Sequence, residues 1–493
     1  MAFAVSASAV EIVSETELVN AQSAVRLLSE ELKGLPGGEE ARIVLRHDAK
    51  LKDEEFILAG DSGTVTVTAG KYGFVPATAY YLDKLCGIIF MTPFEKETAN
   101  AKVATRFAEV RRLPAFDLRD LYFTTGMDGG RFSALRGMNS HGDYTAEFCR
   151  NNGMLNRYGG PKFCHTFHLY YPTEKYFDAH PEWYSEIDGK RYRGAPRRTQ
   201  LCMSNKELRK AFAAKLLATI AEDRRKAAEL HVDPPYVYDV SQNDCHFFCT
   251  CAECTRLKEQ YGGRYSGLLL DFVNEIAADV TAVHPEIKIT TFAYFETELP
   301  PSGIKPHPNV IIVLCDTISN TVKPIRDPEN SLFAGKVRDW SKIATGLRIW
   351  DYDVNYERPT NELPYDNEDV FQDDLRFFRE HRATQFFVEF EFPVTSDARD
   401  YKLYLLTELI ADPDADVAAA KKRFTDAYYG AAGSLFLRYR ELLRQSQARH
   451  NTFLSWSATK TLYTHLDYAT VNEAQRLFDE GERLLADDAA RLR

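Results

Sequence analysis

From Phe116 onward the chain alternates short β-rich runs with helical ones, and that alternation limits its fold more than any other feature. Strands are expected at FDLRDLYF, GMLNRYG, TQLCMS, PYVYDVS, IKITTFAYF, NVIIVLC, GLRIWDYD and TQFFVEFEF. Helical stretches such as NKELRKAFAAKLLATIAEDRRKAAEL and GLLLDFVNEIAADVTAVH lie between several of them. Strands separated by helices favour parallel pairing, because the crossover returns the chain to the starting edge. Eight strands over roughly 290 residues match a (β/α)8 barrel of the TIM type. An open doubly wound sheet is the rival, but no glycine-rich phosphate loop follows any of the strands.

The chain has 493 residues, more than one ordinary core accommodates. Residues 10–100 read as a small α/β domain, 114–411 as the barrel and 412–493 as a helical C-terminal region. A net charge of −11 argues against nucleic acid or an anionic membrane as the main partner. No apolar run is long enough to span a bilayer. Near the start, Ala7-Ser8-Ala9 has the small-x-small form of a signal-peptidase site, so a secreted or periplasmic protein is expected. Nine cysteines leave the redox compartment open.

In such barrels the reactive groups project from the C-terminal ends of the strands. That rule collects Arg119 and Asp120 from strand one, His165 and His168 after strand two, and Asp239, Asn243 and Asp244 from strand four. It adds Glu296 and Glu298, Asp316, then Trp350, Asp351 and Asp353, and finally Glu389 and Glu391 from strand eight. One carboxylate at a strand end usually caps a helix or pairs with an arginine; Glu389 or Glu391 could pair with Arg348 or Arg119. Trp350 on an apolar strand is core by default. Convergence of acids on one mouth is different, because clustered carboxylates perturb one another's protonation. With Tyr158, Tyr170, Tyr171, Trp183, Tyr294, Trp350 and Tyr352 as walls, the mouth suits neutral sugars. Glycosidic cleavage needs one acid to protonate the leaving oxygen and a second group to meet the positive charge at the anomeric carbon.

The run DVSQNDCHFFCTCAEC carries Cys245, Cys249, Cys251 and Cys254. The C-x-C-x2-C spacing closes round a structural zinc ion if Cys245, His246 or the distant Cys202 joins it. A local disulfide and packed free thiols are the alternatives. A catalytic thiol is disfavoured by the acidic cleft, which opposes the thiolate.

Several phrases together resemble a known family: HTFHLYYPTEKYFDAHPEWYSEIDGKR, TQLCMSN, VSQNDCHFFCTCAEC, FVNEIAADVTAVHPEIKITTFAY, RIWDYDVNY and EFEFPVTSDARDYKLYLLTELIADPDADV. They are similar to the bacterial proteins of domain of unknown function 4838, part of which is classed as glycoside hydrolase family 163, endo-β-N-acetylglucosaminidases acting on N-glycans. Residues 10–100 likewise resemble the module preceding the barrel in hexosaminidases and α-glucuronidases. The resemblance implies retaining hydrolysis assisted by the substrate's own acetamide, with a glycan or glycoprotein as partner and no cofactor required for catalysis. On that reading Asn243 and Asp244 position the sugar or its acetamide, and Glu389 or Glu296 is the proton donor. Arg119, His165, His168, Tyr294, Trp350, Asp351 and Glu391 bind the substrate. An α-glucuronidase-type enzyme, with Arg119, Arg157 and His165 holding a uronate, is one alternative. A carbohydrate-binding barrel without turnover is the other.

Overall fold

The computed structural model describes residues 3–7, 10–38, 40–122, 128–140, 149, 154–155, 157–357, 360–390, 393, 395–488 and 491. Ser8 and Ala9 of the small-x-small signature lie outside them.

The N-terminal unit is built on a six-stranded sheet. Its strands are β1 (Phe3–Ala7), β2 (Val10–Ser14), β3 (Arg42–His47), β4 (Phe56–Asp61), β5 (Thr64–Ala69) and β6 (Phe107–Arg112), in spatial order β1-β2-β3-β5-β4-β6. The two helices α1 (Val19–Glu31) and α2 (Phe74–Tyr80) bury Leu28, Phe74 and Ala77 against it. The strand β6 lies beyond the expected 10–100 domain, yet it pairs antiparallel with β4.

The second unit is a curled, wholly parallel sheet of seven strands. They are β7 (Leu118–Tyr122), β8 (Tyr158–Gly159), β9 (Val237–Asp239), β10 (Lys288–Ala293), β11 (Val310–Cys315), β12 (Gly346–Tyr352) and β13 (Ala383–Glu389). Their order is β8-β9-β10-β11-β12-β13-β7, so the last strand pairs with the first, Glu389 opposite Tyr122. All six residues of β11, VIIVLC, are buried, as expected for a parallel strand covered on both faces. Among the outer helices, α3 (Lys206–Glu229) is capped by Asn205, whose side chain accepts from the Leu208 amide at 2.9 Å. The helices α4 (Ala252–Gln260), α5 (Tyr265–Val283), α6 (Ser331–Ser341) and α7 (Phe371–Glu380) complete this layer.

The expected eighth strand does not form among the described residues, and the sheet is a half-barrel of seven. TQLCMS is not part of it; Leu201 makes a single antiparallel bridge to Tyr184. Its polar residues explain why. Thr199 and Gln200 are buried and bond Asn243 in the loop after β9, while the segment's backbone pairs locally, the Gln200 carbonyl accepting from the Ser185 amide and the Cys202 amide donating to the Trp183 carbonyl. Of the described residues of GMLNRYG, the two of β8 pair in the sheet. Ser140 makes one parallel bridge to Asp120 beside β7.

The chain ends in a helical region: α8 (Arg399–Ala411), α9 (Val417–Tyr429), α10 (Gly433–His450) and α11 (Tyr468–Leu484). It is fastened to the half-barrel by Arg440, which is buried and donates to Glu368 at 2.7 Å. The segment after α10 also reaches the mouth of the sheet. Trp456 donates to the Thr317 carbonyl and its own carbonyl accepts from Tyr356.

Candidate active site

A cavity of ≈ 270 Å³ opens at the carboxyl ends of the parallel strands. Its floor is an aromatic cluster in which Trp350 stacks on Phe163 with centroids 5.7 Å apart and packs on Phe387 at 4.2 Å. Tyr122, Tyr294 and Tyr352 rise at its sides. Among the described residues two carboxylates line it, Asp244 from the loop after β9 and Glu389 from the end of β13.

Glu389 is held from two directions. The Trp350 indole Nε1–H donates to Oε1 at 3.0 Å, and the Tyr356 hydroxyl bonds Oε2. Trp350 is thus both core, at 6% exposure, and a polar partner of the site. Tyr294 donates its hydroxyl to Asp244 Oδ1 at 3.3 Å, tying the loop after β9 to the end of β10.

His165 lines the same cavity. Its backbone has φ of 51°, an unusual conformation for this residue type. The amide donates to Ser241 Oγ at 2.9 Å, and Nδ1 lies 2.9 Å from the Gln242 carbonyl. A carbonyl can only accept, so Nδ1 carries the proton and Nε2 is left as an acceptor. Burial pushes the imidazole below its ordinary value, which favours the neutral ring.

Other expected site residues sit elsewhere. Asn243 is buried behind Asp244; its Oδ1 accepts from the His168 amide at 2.9 Å and its Nδ2 donates to the Thr199 carbonyl at 2.6 Å. Both Asn243 and His168 therefore shape the loop and do not line the cavity. Glu296 sits on a short 3-10 turn and bonds His246, away from the lining. Asp351 belongs to a separate group of acids, its carboxyl raised by burial and by Asp353, Asp316 and Asp374. Glu391 lies outside the described residues.

Arg119 corrects the sequence expectation most plainly. Its place near the end of strand one assigned it to the mouth; in the fold it is fully buried and bonds Glu54 of the N-terminal unit. Its guanidinium donates to both oxygens of Glu54 at 3.1 Å and to the Gly137 and Phe116 carbonyls. Arg157 lies 3.7 Å from the same carboxylate. Sequence reasoning in turn missed Lys162, Phe163, Phe292 and Phe387 on the lining, and Tyr356 behind it. A β-rich pattern announces the apolar ones only as core, and Tyr356 lies in a loop with no periodicity to mark it.

The cysteines separate differently from their spacing. Ligand atoms of Cys202, Cys249, Cys251 and Cys254 all lie within 4.8 Å of one another, and all four residues are buried. Cys245 is not among them; its sulfur accepts from Gln200 Nε2 at 3.4 Å. The fourth member comes instead from TQLCMS. All nine cysteines are free thiols, so no disulfide is formed in this cluster.

Solved structures of glycoside hydrolases share this fold. A family 89 glycoside hydrolase from Clostridium perfringens in complex with 2-acetamido-1,2-dideoxynojirmycin superposes with a TM-score of 0.59 at 10% identity, over 97% of this chain and 60% of that one. A variant of the Clostridium perfringens family 89 protein with GlcNAc-alpha-1,4-galactose gives 0.58 at 11% identity, over 96% and 59%. The structure of CpGH84B gives 0.51 at 10%, over 100% and 85%. The chain thus spans about 60% of the length of the family 89 protein. It belongs to the family described as domain of unknown function (DUF4838), whose model matches residues 97–441. No curated protein matches its sequence.

Proposed function

We propose that this protein is a glycoside hydrolase whose reacting sugar sits in the cavity between Asp244 and Glu389. The observation that carries the proposal is that these two carboxylates share one aromatic-floored cavity at the carboxyl edge of the parallel sheet. Glu389 accepts from Trp350 and Tyr356, which fix its carboxylate where it can face the positive charge of an oxocarbenium-like transition state. Asp244, on the opposite loop, then delivers the proton to the leaving oxygen. The chemistry needs no cofactor.

The family resemblance supports a finer reading, a retaining endo-β-N-acetylglucosaminidase on N-glycans. In that reaction the sugar's acetamide oxygen attacks the anomeric carbon; here the expected roles are exchanged, with Glu389 orienting and polarising the acetamide and Asp244 donating the proton. Ligands bearing N-acetylglucosamine or its mimics on the family 89 fold agree with the sugar but not with the anomer, since that disaccharide is α-linked. A glycoprotein substrate agrees with the secreted or periplasmic location expected from Ala7-Ser8-Ala9. The α-glucuronidase-type alternative loses two of its three expected uronate partners, because Glu54 holds Arg119 and Arg157, while His165 and Lys162 line the cavity.

The test is mass spectrometry of glycans released from an N-glycoprotein, beside aryl α- and β-N-acetylglucosaminides and an aryl α-glucuronide. Cleavage between the two core N-acetylglucosamines is the expected result. Asp244→Asn should cut turnover on the natural glycan about 10²–10⁴-fold while sparing an aryl glycoside whose leaving group needs no proton. Glu389→Gln should impair both. Unchanged turnover in both variants would refute the assignment, and uronic acid release would overturn the substrate class.

A further inference from the structure

The four-cysteine cluster plays no part in the proposed reaction, yet it is built to a definite geometry. The Cys202 sulfur lies 3.7 Å from that of Cys251 and 3.8 Å from that of Cys254. Four sulfurs each about 2.3 Å from one zinc ion at tetrahedral angles stand about 3.8 Å apart, so these two separations match edges of a zinc–thiolate tetrahedron, and all four sulfurs lie within 4.8 Å of one another. Donors are arranged round the sulfurs as well. The Glu186 amide donates to Cys249 at 3.2 Å, and Arg191 Nη1 lies 3.9 Å from the same sulfur. Cys251 is the N-cap of α4 and Cys254 lies in its first turn, where the helix dipole favours negative charge. Four thiolates round a divalent cation leave a net double negative charge, and these groups offset it.

We infer that Cys202, Cys249, Cys251 and Cys254 bind a structural zinc ion that fixes the loop carrying Asp244. Binding displaces the thiol protons to solvent, with no redox step. The metal joins two segments that have no ladder between them, Thr199–Ser204 and the loop running from Asn243 to Cys254. Two residues before Cys202, the Gln200 side chain holds Asn243 from both sides. Its Oε1 accepts from the Asn243 amide at 2.9 Å, and its Nε2 donates to the Asn243 carbonyl at 2.7 Å and to the Cys245 carbonyl at 2.8 Å. Asp244 is the next residue. A clamp on Cys202 therefore sets the position of the proposed proton donor without touching it.

The metal is tested without reference to turnover, so its failure and that of the glycosidase reading are distinguishable. Elemental analysis of protein purified under reducing conditions should find about one zinc per chain. Cobalt(II) replacing it should give the sulfur-to-metal charge-transfer band and the intense visible bands of a tetrahedral thiolate site. Cys202→Ser and Cys254→Ser should each lower the zinc content about tenfold or more, whereas Cys245→Ser should keep it at the parent level. Where a ligand variant fails to fold, the cobalt spectrum of the parent protein decides. After chelation, amide exchange should accelerate in residues 199–205 and 241–254 while α11 keeps its protection. Protein that carries no zinc and takes up no cobalt overturns the inference. So does a disulfide among the four cysteines, or a Cys245→Ser protein as depleted as Cys202→Ser. Exchange unchanged by chelation overturns the role in holding the loop.

Discussion

Replacing Glu54 should destabilise the half-barrel although Glu54 belongs to the other unit. Its carboxylate receives two guanidinium N–H groups from Arg119 at 3.1 Å and is bonded by Asn139 Nδ2 at 2.8 and 2.9 Å; Arg157 stands 3.7 Å away. The Arg119 side chain is 1% exposed and that of Arg157 8%, so removing the acid strands two buried cations. Breaking such a pair on one side costs about 3–5 kcal/mol. For Glu54→Ala, with a urea slope of about 3 kcal/mol per molar, the midpoint falls by about 1 M. The assay is tryptophan fluorescence, since Trp183, Trp340, Trp350 and Trp456 are the chain's four tryptophans and none lies in the N-terminal unit. Joint replacement of Glu54 by Leu and Arg119 by Met should cost less than either single change, because no orphaned charge then remains on Arg119. Burial alone would raise the Glu54 carboxyl, but Arg119 and Arg157 outweigh it and hold it below the ordinary value. Its contribution is therefore present above the unfolded-state pKa of about 4 and lost as pH falls through the lower folded value, so wild type and Glu54→Gln should converge in acid. A midpoint unchanged by Glu54→Ala, or a double variant as costly as the sum of the singles, would refute the reasoning.

Two further outcomes are expected. Trp350→Phe keeps the aromatic floor but removes the N–H donor to Glu389, and turnover should fall about 10–100-fold, as for loss of a charge-assisted hydrogen bond; steady-state kinetics checks this, and undiminished kcat would detach Trp350 from the site. Burial raises the Asp239 carboxyl to about 7 against the opposing bonds from Ser241, Thr290 and Thr166. Its stabilising contribution is full below about pH 4 and declines up to about pH 7, so wild type should lose a few kcal/mol relative to Asp239→Asn across that window in denaturant titrations. A constant difference between the two proteins over that range would contradict it.

What the sequence made legible follows from where each interaction is encoded. The strands β9 to β13 were readable because β-rich runs bounded by turns mark parallel strands, as in VIIVLC. TQLCMS misled because its Thr199, Gln200 and Cys202 look like an alternating strand but are placed to hold a loop over forty residues away. The same distance left Cys202 as one of three candidates, with Cys245 and His246, to join Cys249, Cys251 and Cys254. Arg119 failed for a related reason. Alternation along a strand says which face a residue is on but not that Glu54, 65 residues earlier, waits there. Asp244, Glu389, His165, Tyr294 and Trp350 line one cavity in the fold, because position at a strand end or in the loop after it is a local property.

The pairing of β13 with β7 has a consequence for how the chain reaches this state. Gln385 lies opposite Leu118, roughly 270 residues earlier in the chain. During synthesis the edge of β7 must wait until nearly the whole sheet has emerged from the ribosome. The N-terminal sheet can assemble well before that, and Glu54 can meet Arg119 as soon as β7 is made. Closure over so long a separation raises contact order and slows folding. An early anchor between Glu54 and Arg119 would hold that unpaired edge against the finished N-terminal unit. A strand kept in place in this way is also shielded from pairing with another nascent chain, the ordinary hazard of a slow parallel sheet.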